Sequence, residues 1–162
     1  MRHVELDAVV RNDKAEDVFT AVAKWERYPE LAPHVRATTV HSTLPEPVGS
    51  SSWELHFRSG LLRWTETDTF HQDRLEIHFE QTDGDFDSFV GRWVLRQDGA
   101  DVTVHFEADF DFGIPSLEGI LDPIAERVIK ETVAWAVTGL FADTAVLGDH
   151  GLAEPQPAAA AG

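Results

Sequence analysis

The chain has 162 residues, 29 acidic against 13 basic side chains, a formal net charge of −16, five tryptophans, ten phenylalanines and no cysteine. This length predicts one domain with a sizeable core, and the charge excludes a basic nucleic-acid-binding surface and attraction to anionic membranes. The lack of cysteine excludes disulfides and thiolate metal sites, and the first residues lack the apolar run of a signal peptide, so we expect a cytoplasmic protein.

The N-terminal part predicts a strand followed by two short helices. Alternation of polar and apolar residues indicates a strand from His3 to Val10. Asn12-Asp13 can then cap a helix from Lys14 to Trp25. A second helical turn covers Glu26 to Leu31 and ends before Pro33, because proline cannot continue a helix.

Six further strands are predicted, separated by turns rich in glycine, proline and aspartate. They cover residues 36–42, 51–58, 62–71, 74–81, 86–96 and 101–112. The period of two places aromatic and aliphatic side chains on one face and polar ones on the other, which is typical of an antiparallel sheet with one face in water. No spacing of histidines or acidic residues predicts a metal site, and no glycine-rich loop predicts a phosphate-bearing cofactor, so we expect neither.

The last predicted element is a long amphipathic helix that begins after Gly113-Ile114-Pro115, with Ser116 as its cap. Its apolar stripe consists of Leu117, Leu121, Ile124, Val128, Thr132, Trp135 and Gly139. Residues 133–141 are apolar nearly all round, so they are covered either by other parts of the chain or by a second copy in a homodimer. Residues 148–162 form a predicted disordered tail rich in alanine and proline, which leaves residues 1–147 as the ligand-binding domain.

This order of elements predicts an α+β helix-grip fold. A curved antiparallel sheet of six to seven strands would wrap around the C-terminal helix, with the two short helices after the first strand. One helix cannot fill the concave side of such a sheet, so we expect a large apolar cavity between them. A hydrophobic small molecule suits this cavity better than a polymer does.

Over roughly residues 2–143 the chain resembles the polyketide cyclase/dehydrase family of the START-like superfamily. The resemblance is carried by Asp17-Val18-Phe19, Trp25 to Pro33, Phe86, Gly91 to Leu95 and Asp109 to Phe112. It implies one of two activities. Aromatase/cyclases fold and dehydrate a poly-β-ketone delivered by an acyl carrier protein, whereas coenzyme Q-binding relatives carry a quinone without chemistry. An acidic acyl carrier protein would need a local basic patch, for which the candidates are Arg27, His34, Arg36 and Arg58.

The chain departs from the pattern of the cyclases that it resembles. Those proteins place an arginine in the pocket as W-[ST]-x-x-x-R, and some carry a histidine just before the Asp-Phe of the last strand. Here Trp64-Thr65-Glu66-Thr67-Asp68 puts Asp68 at the arginine position, and Ala108 stands in place of the histidine. An arginine stabilises an enolate, whereas an aspartate can remove or return a proton.

Glu66 and Asp68 are therefore the candidate catalytic residues. If Trp64 and Phe70 face the cavity, both acids face it too, and burial and mutual repulsion would raise their pKa values. A strand shifted by one residue would instead place them in water. The candidate substrate-binding residues are Trp53, Trp64, Trp93, Phe106 and Trp135 as a stacking surface, Tyr28 and Thr132 to hold a carbonyl, and His34 at the mouth.

The sequence predicts a cyclase or dehydratase that acts on a hydrophobic, polyketide-like intermediate. In this hypothesis one of the two acids removes a methylene proton, and the same acid assists the loss of water. The alternative is a non-catalytic carrier of a quinone or lipid. A third hypothesis is an interaction protein that uses the apolar helix end around Val137 and Phe141.

Overall fold

The computed structural model describes residues 1–148 and 151–152. It shows the predicted α+β arrangement of a long helix against an antiparallel sheet. The strands are β1 (Arg2–Val10), β2 (Val35–Ser42), β3 (Val48–Phe57), β4 (Gly60–His71), β5 (Glu76–Gly84), β6 (Ser88–Asp98), β7 (Asp101–Asp111) and β8 (Thr144–Val146). The helices are α1 (Ala15–Val22), α2 (Tyr28–Leu31) and α3 (Glu118–Leu140), with 3-10 turns at Trp25–Arg27 and Pro115–Leu117.

The sheet has eight strands in the order β2-β3-β4-β5-β6-β7-β1-β8. The strands from β2 to β7 follow one another as antiparallel neighbours. The first strand, β1, pairs antiparallel with β7, and every residue of β1 takes part in this pairing. The eighth strand was not predicted. It has only three residues and pairs with Ala8 to Val10 of β1, so it is too short for alternation to indicate it.

The helix caps differ from the predicted ones. Neither α1 nor α3 has a side-chain hydrogen bond at its N-cap, which is Lys14 in α1 and Leu117 in α3. The first N–H group of α1, on Ala15, instead donates to Oε1 of Gln97 at 2.8 Å. Gln97, at the end of β6, thus takes the place of a local cap, although it lies far from α1 in the sequence.

The predicted stripe of α3 is buried only in its middle part, at Val128, Thr132 and Trp135, whereas Gly139 at its end is exposed. Leu117 is 38% exposed, and Ile120 is 55% exposed. From Val133 to Val137 every residue is buried, because α3 packs there against β1, β8, α1 and α2. The chain itself therefore covers most of the apolar segment that suggested a homodimer contact.

Most of the predicted tail, residues 149–150 and 153–162, lies outside the described residues. Of its described part, Leu152 packs half-buried against the core. Within residues 1–148 and 151–152, no helix is both long enough and apolar enough to cross a membrane.

Candidate functional site

Two carboxylic acids lie inside the grip, on the face of β4 that is turned toward α3. Burial alternates along this strand, and Trp64, Glu66, Asp68 and Phe70 share the buried parity. Glu66 is 5% exposed and Asp68 is fully buried. The strand is therefore not shifted by one residue, and both acids are inside.

A short chain of hydrogen bonds holds the two acids. Nε1 of Trp64 donates to Oε1 of Glu66 at 2.8 Å. Oγ of Ser51, on the neighbouring strand, donates to Oδ2 of Asp68 at 2.7 Å and accepts from Nε1 of Trp53 at 3.0 Å. Oδ1 of Asp68 is buried and has no partner among the described residues when both acids are ionised. A proton on Glu66 allows that carboxyl group to donate a hydrogen bond to the neighbouring Asp68.

Burial and the neighbouring acid make Glu66 the proton holder of the pair. Burial raises the pKa of Glu66 well above its usual range, the hydrogen bond and negative charge of Asp68 raise it further, and the bond from Trp64 lowers it. Burial also raises the pKa of Asp68, while the hydrogen bonds from Glu66 and Ser51 lower it. One proton shared between the two, carried by Glu66 and donated to Asp68, is the state that these contacts favour.

Glu66 reaches a narrow apolar cavity between the sheet and α3, with a volume of about 60 Å³. Its walls are formed by Trp25, Tyr28, Trp53, Leu55, Trp64, Glu66, Phe79, Phe89, Trp93, Phe106, Ile129, Thr132 and Val133. Sites that take drug-sized ligands measure roughly 300–1,000 Å³, so the predicted large cavity is mostly filled by its own aromatic walls. Trp53 and Trp64 stack across β3 and β4 with their centroids 6.0 Å apart, and Phe89 packs edge-on against Trp64 at 5.3 Å.

Larger grooves lie on the outside of the protein. One, of about 440 Å³, runs over the polar face of the sheet beside Thr67 and Arg92. The other, of about 640 Å³, lies beside α3 near Arg127 and Leu152. Neither groove is lined by Glu66 or Asp68.

The structure brings together seven of the ten predicted site residues. Tyr28, Trp53, Trp64, Glu66, Trp93, Phe106 and Thr132 all line the cavity. Asp68 does not line it, and lies behind Glu66. His34 and Trp135 are also outside it, with their rings 4.5 Å apart, and Nε2 of His34 is 3.0 Å from Oε1 of Glu131.

The two hydroxyl groups predicted to hold a carbonyl are already engaged with the main chain. The hydroxyl of Tyr28 donates to the carbonyl of Val22 at 2.8 Å. Oγ1 of Thr132 donates to the carbonyl of Val128, one turn earlier in α3, at 2.7 Å. While these bonds hold, neither hydroxyl has a hydrogen to offer a ligand.

Two residues that bring polar groups to the site were not predicted as site residues. Trp25 lines the cavity, and its Nε1–H group is buried without a partner among the described residues. Sequence carries no sign of an unpaired indole N–H. Ser51 shares strand parity with Trp53 and Leu55, so the alternation used for those residues would have placed it inside.

The cations of the predicted basic patch are partly neutralised. Nε of Arg27 lies 3.2 Å from Oε1 of Glu30, and Nη1 of Arg36 lies 2.5 Å from Oε1 of Glu54. These pairs weaken the patch as a binding surface for an acidic partner, because each arginine already faces a carboxylate of this chain.

The model of the family described as polyketide cyclase/dehydrase and lipid transport matches residues 13–136. No curated protein matches the chain significantly.

Among solved structures, the protein TTHA0849 from Thermus thermophilus superposes with a TM-score of 0.75 at 22% identity, over 86% of this chain and 94% of that one. The Zhui aromatase/cyclase from Streptomyces sp. R1128 gives 0.74 at 15%, over 86% and 93%. A START superfamily protein from Mycobacterium smegmatis gives 0.66 at 15%, over 85% and 93%. At these identities the similarity shows the fold alone.

Proposed function

The chain belongs to the polyketide cyclase/dehydrase and lipid transport family. From this membership and from the buried acid pair, we propose that the protein cyclises and dehydrates a hydrophobic, polyketide-like intermediate. The observation that carries the proposal is the position of Glu66. Its carboxyl group is buried in an aromatic wall, has a raised pKa and touches the cavity. A carboxyl group with a raised pKa is a stronger base when ionised and a ready proton donor when protonated.

In the proposed mechanism Glu66 moves the proton in both steps. When the shared proton has passed to Asp68, the Glu66 carboxylate removes an acidic methylene proton. The enolate carbon then attacks a carbonyl of the same substrate chain to form the ring bond, and the proton passes from Glu66 to the new alkoxide. In the dehydration the carboxylate takes the next methylene proton and returns it to the hydroxyl group, which leaves as water. A C–H and a C–O bond break, a C=C bond forms, and Glu66 ends as it began.

Asp68 is a positioning residue in this scheme, because it contacts Glu66 and not the cavity. Its carboxylate accepts the hydrogen of the protonated Glu66 and raises the pKa of that group. Ser51 keeps Asp68 in place through its bond to Oδ2. Trp25 is a residue of the cavity wall whose Nε1–H group has no partner among the described residues, so this group would gain a hydrogen bond by donating to a substrate carbonyl when the walls separate.

The volume of the cavity sets a condition on binding. A space of about 60 Å³ does not hold an aromatic ring system, so the substrate enters only if the aromatic walls separate by side-chain rotation.

The carrier hypothesis also requires the walls to separate before a ligand can enter. It is favoured by the engaged hydroxyls of Tyr28 and Thr132, which leave an apolar lining suited to holding a quinone or lipid unchanged.

The test compares wild type with Glu66→Gln and with the control Glu80→Gln, an exposed acid on β5 that faces water. Each protein is purified from its own host, and bound molecules are extracted and identified by mass spectrometry. Each is then incubated with a synthetic poly-β-ketone thioester, and loss of water from the product is followed by mass. We expect turnover by wild type and Glu80→Gln, and a roughly 10²–10⁴-fold loss in Glu66→Gln with ligand binding retained.

Two results would contradict the proposal. A polyprenyl quinone or lipid recovered unchanged, with no turnover of the thioester by wild type, would establish the carrier. Undiminished turnover by Glu66→Gln would remove Glu66 from the mechanism.

A further inference from the structure

The outer face of the sheet carries the same polar pattern on two adjacent strands. The pattern is His3-Val4-Glu5-Leu6-Asp7 in β1 and His105-Phe106-Glu107-Ala108-Asp109 in β7. Since the strands are antiparallel, the register pairs His3 with Asp109, Glu5 with Glu107, and Asp7 with His105. The polar side chains therefore form a cluster with approximate two-fold symmetry around the glutamate pair.

Each histidine is oriented by an aspartate from the opposite strand. Nδ1 of His3 lies 2.8 Å from Oδ1 of Asp109, and Nδ1 of His105 lies 2.7 Å from Oδ1 of Asp7. In a neutral imidazole, a hydrogen on Nδ1 that is donated to a carboxylate leaves the lone pair on Nε2. This carboxylate–histidine arrangement is the one that orients metal-binding histidines in proteins.

The free Nε2 of His3 faces both glutamates. It lies 3.7 Å from Oε2 of Glu5 and 3.8 Å from Oε2 of Glu107. Ligand atoms of these three residues all lie within 4.8 Å of one another. Bonds of about 2.1 Å to a tetrahedral zinc ion put neighbouring ligand atoms roughly 3.4 Å apart. The two distances from Nε2 of His3 exceed this spacing by only a few tenths of an ångström, and the two glutamate side chains must turn toward the ion. His3 and Glu5 are about half exposed and free to make that adjustment.

The glutamate pair also favours a cation between the strands. Like charges directly opposite each other on paired strands are destabilising, and Glu5 and Glu107 are such a pair. On the His105 side the guanidinium group of Arg92 already pairs with Oε1 of Glu107. On the His3 side no arginine or lysine pairs with Oε2 of either glutamate among the described residues. The group that faces both oxygens there is Nε2 of His3, so an ion at this place would be shared by all three side chains.

We propose that His3, Glu5 and Glu107 bind one divalent ion of the zinc type, with Asp109 orienting His3 and water completing the coordination. An imidazole nitrogen with carboxylate oxygens selects zinc-like ions over Mg²⁺ and Ca²⁺, which take oxygen ligands only. The ion ties β1 to β7 on the face opposite the cavity. No spacing within one segment predicts this site, because its ligands come from opposite ends of the chain.

The experiment is a calorimetric titration of tag-free, chelator-stripped protein with Zn²⁺ at physiological salt. Wild type is expected to bind one ion per chain and to gain thermal stability on binding. His3→Gln should weaken binding at least tenfold, and Asp109→Ala should weaken it about tenfold, because it removes only the orienting contact. The matched control is His56→Gln, an exposed histidine on the polar face of β3, which should bind like wild type.

Circular dichroism of each variant without metal shows whether it folds, and Glu107→Gln provides a second ligand variant if His3→Gln does not. The absence of Zn²⁺ binding by wild type would overturn the proposal. Equal affinity in wild type and a folded His3→Gln would overturn it too, as would Mg²⁺ binding as tight as Zn²⁺ binding, which would indicate only attraction to an acidic surface.

Discussion

At the scale of single residues, the acid pair couples the proposed chemistry to stability. Glu66 needs a raised pKa to exchange protons inside the grip, and burial among aromatic rings supplies it. The consequence is that ionising Glu66 at high pH places a second negative charge beside the buried Asp68. The folded protein therefore resists losing this proton more than the unfolded chain does.

We expect stability to fall as the pH rises above the usual range of a glutamate. There the folded state keeps a proton that the unfolded state has lost, so the free energy of unfolding decreases with pH, by at most about 1.4 kcal/mol per pH unit for this one group. Glu66→Gln should flatten the decrease, because an amide can still donate to Asp68 and accept from Trp64. Urea unfolding of both proteins between pH 5 and 9 measures the difference, and the raised pKa of His3 contributes equally to both. Equal slopes would show that Glu66 ionises freely in the folded protein.

At the scale of strands and helices, a glycine allows the sheet to curve around its aromatic lining. Gly91 in β6 lies under the ring of Phe79, and a Cβ added there would overlap that ring and lie 2.5 Å from the main-chain oxygen of Glu107. The space that a side chain would take on β6 is used by an aromatic ring of β5. Gly119 in α3 is different, since nothing lies within 4 Å of an added Cβ.

We expect opposite effects from alanine at these two glycines. Gly91→Ala should destabilise the protein by about 1–3 kcal/mol, because the main chain of β7 cannot move aside. Gly119→Ala should stabilise it by about 0.4–1 kcal/mol, since alanine restricts the unfolded chain and fits the helix. Chemical denaturation of the two variants gives both values. A neutral Gly91→Ala would mean that Phe79 repacks without loss.

At the scale of the whole molecule, the small cavity between the sheet and α3 means that substitutions which fill it should stabilise the empty protein and weaken ligand binding. The aromatic walls close on a space of about 60 Å³, and Val133 of α3 is one of the aliphatic residues at its edge. Any group added there improves packing of the empty protein and removes room for a ligand. Val128, on the same helix, is similarly buried but does not line the cavity.

Val133→Ile should stabilise the empty protein by about 0.8 kcal/mol for the added methylene and should weaken binding of the hydrophobic ligand. Val128→Ile is the control and should leave the affinity unchanged. Thermal unfolding measures the first effect, and quenching of tryptophan fluorescence by the extracted ligand measures the second. Equal ligand affinity in Val133→Ile and wild type would place the binding site elsewhere.

The sequence left both parities of β4 open, although Trp64 and Phe70 share one of them with both acids, and the burial pattern shows that this shared parity is the inward one. Sequence analysis failed where the answer depends on atoms brought together by the fold. The hydroxyls of Tyr28 and Thr132 are bonded to nearby main-chain carbonyls, and the indole N–H of Trp25 is unpaired. None of these partners can be inferred from residue type, since each depends on side-chain rotation and local packing.

The sequence by itself determined the helix-grip architecture, because alternation with period two and the final helical stripe record which side of each element meets the core. Only the tertiary structure decided how much space remains inside, since that volume depends on how rings from β3, β4, β5 and β6 interlock. It also decided that Glu66 reaches the cavity while Asp68 stands behind it, and that the two His-x-Glu-x-Asp segments meet. These are distances between residues remote in sequence, and such distances exist only once the sheet has formed.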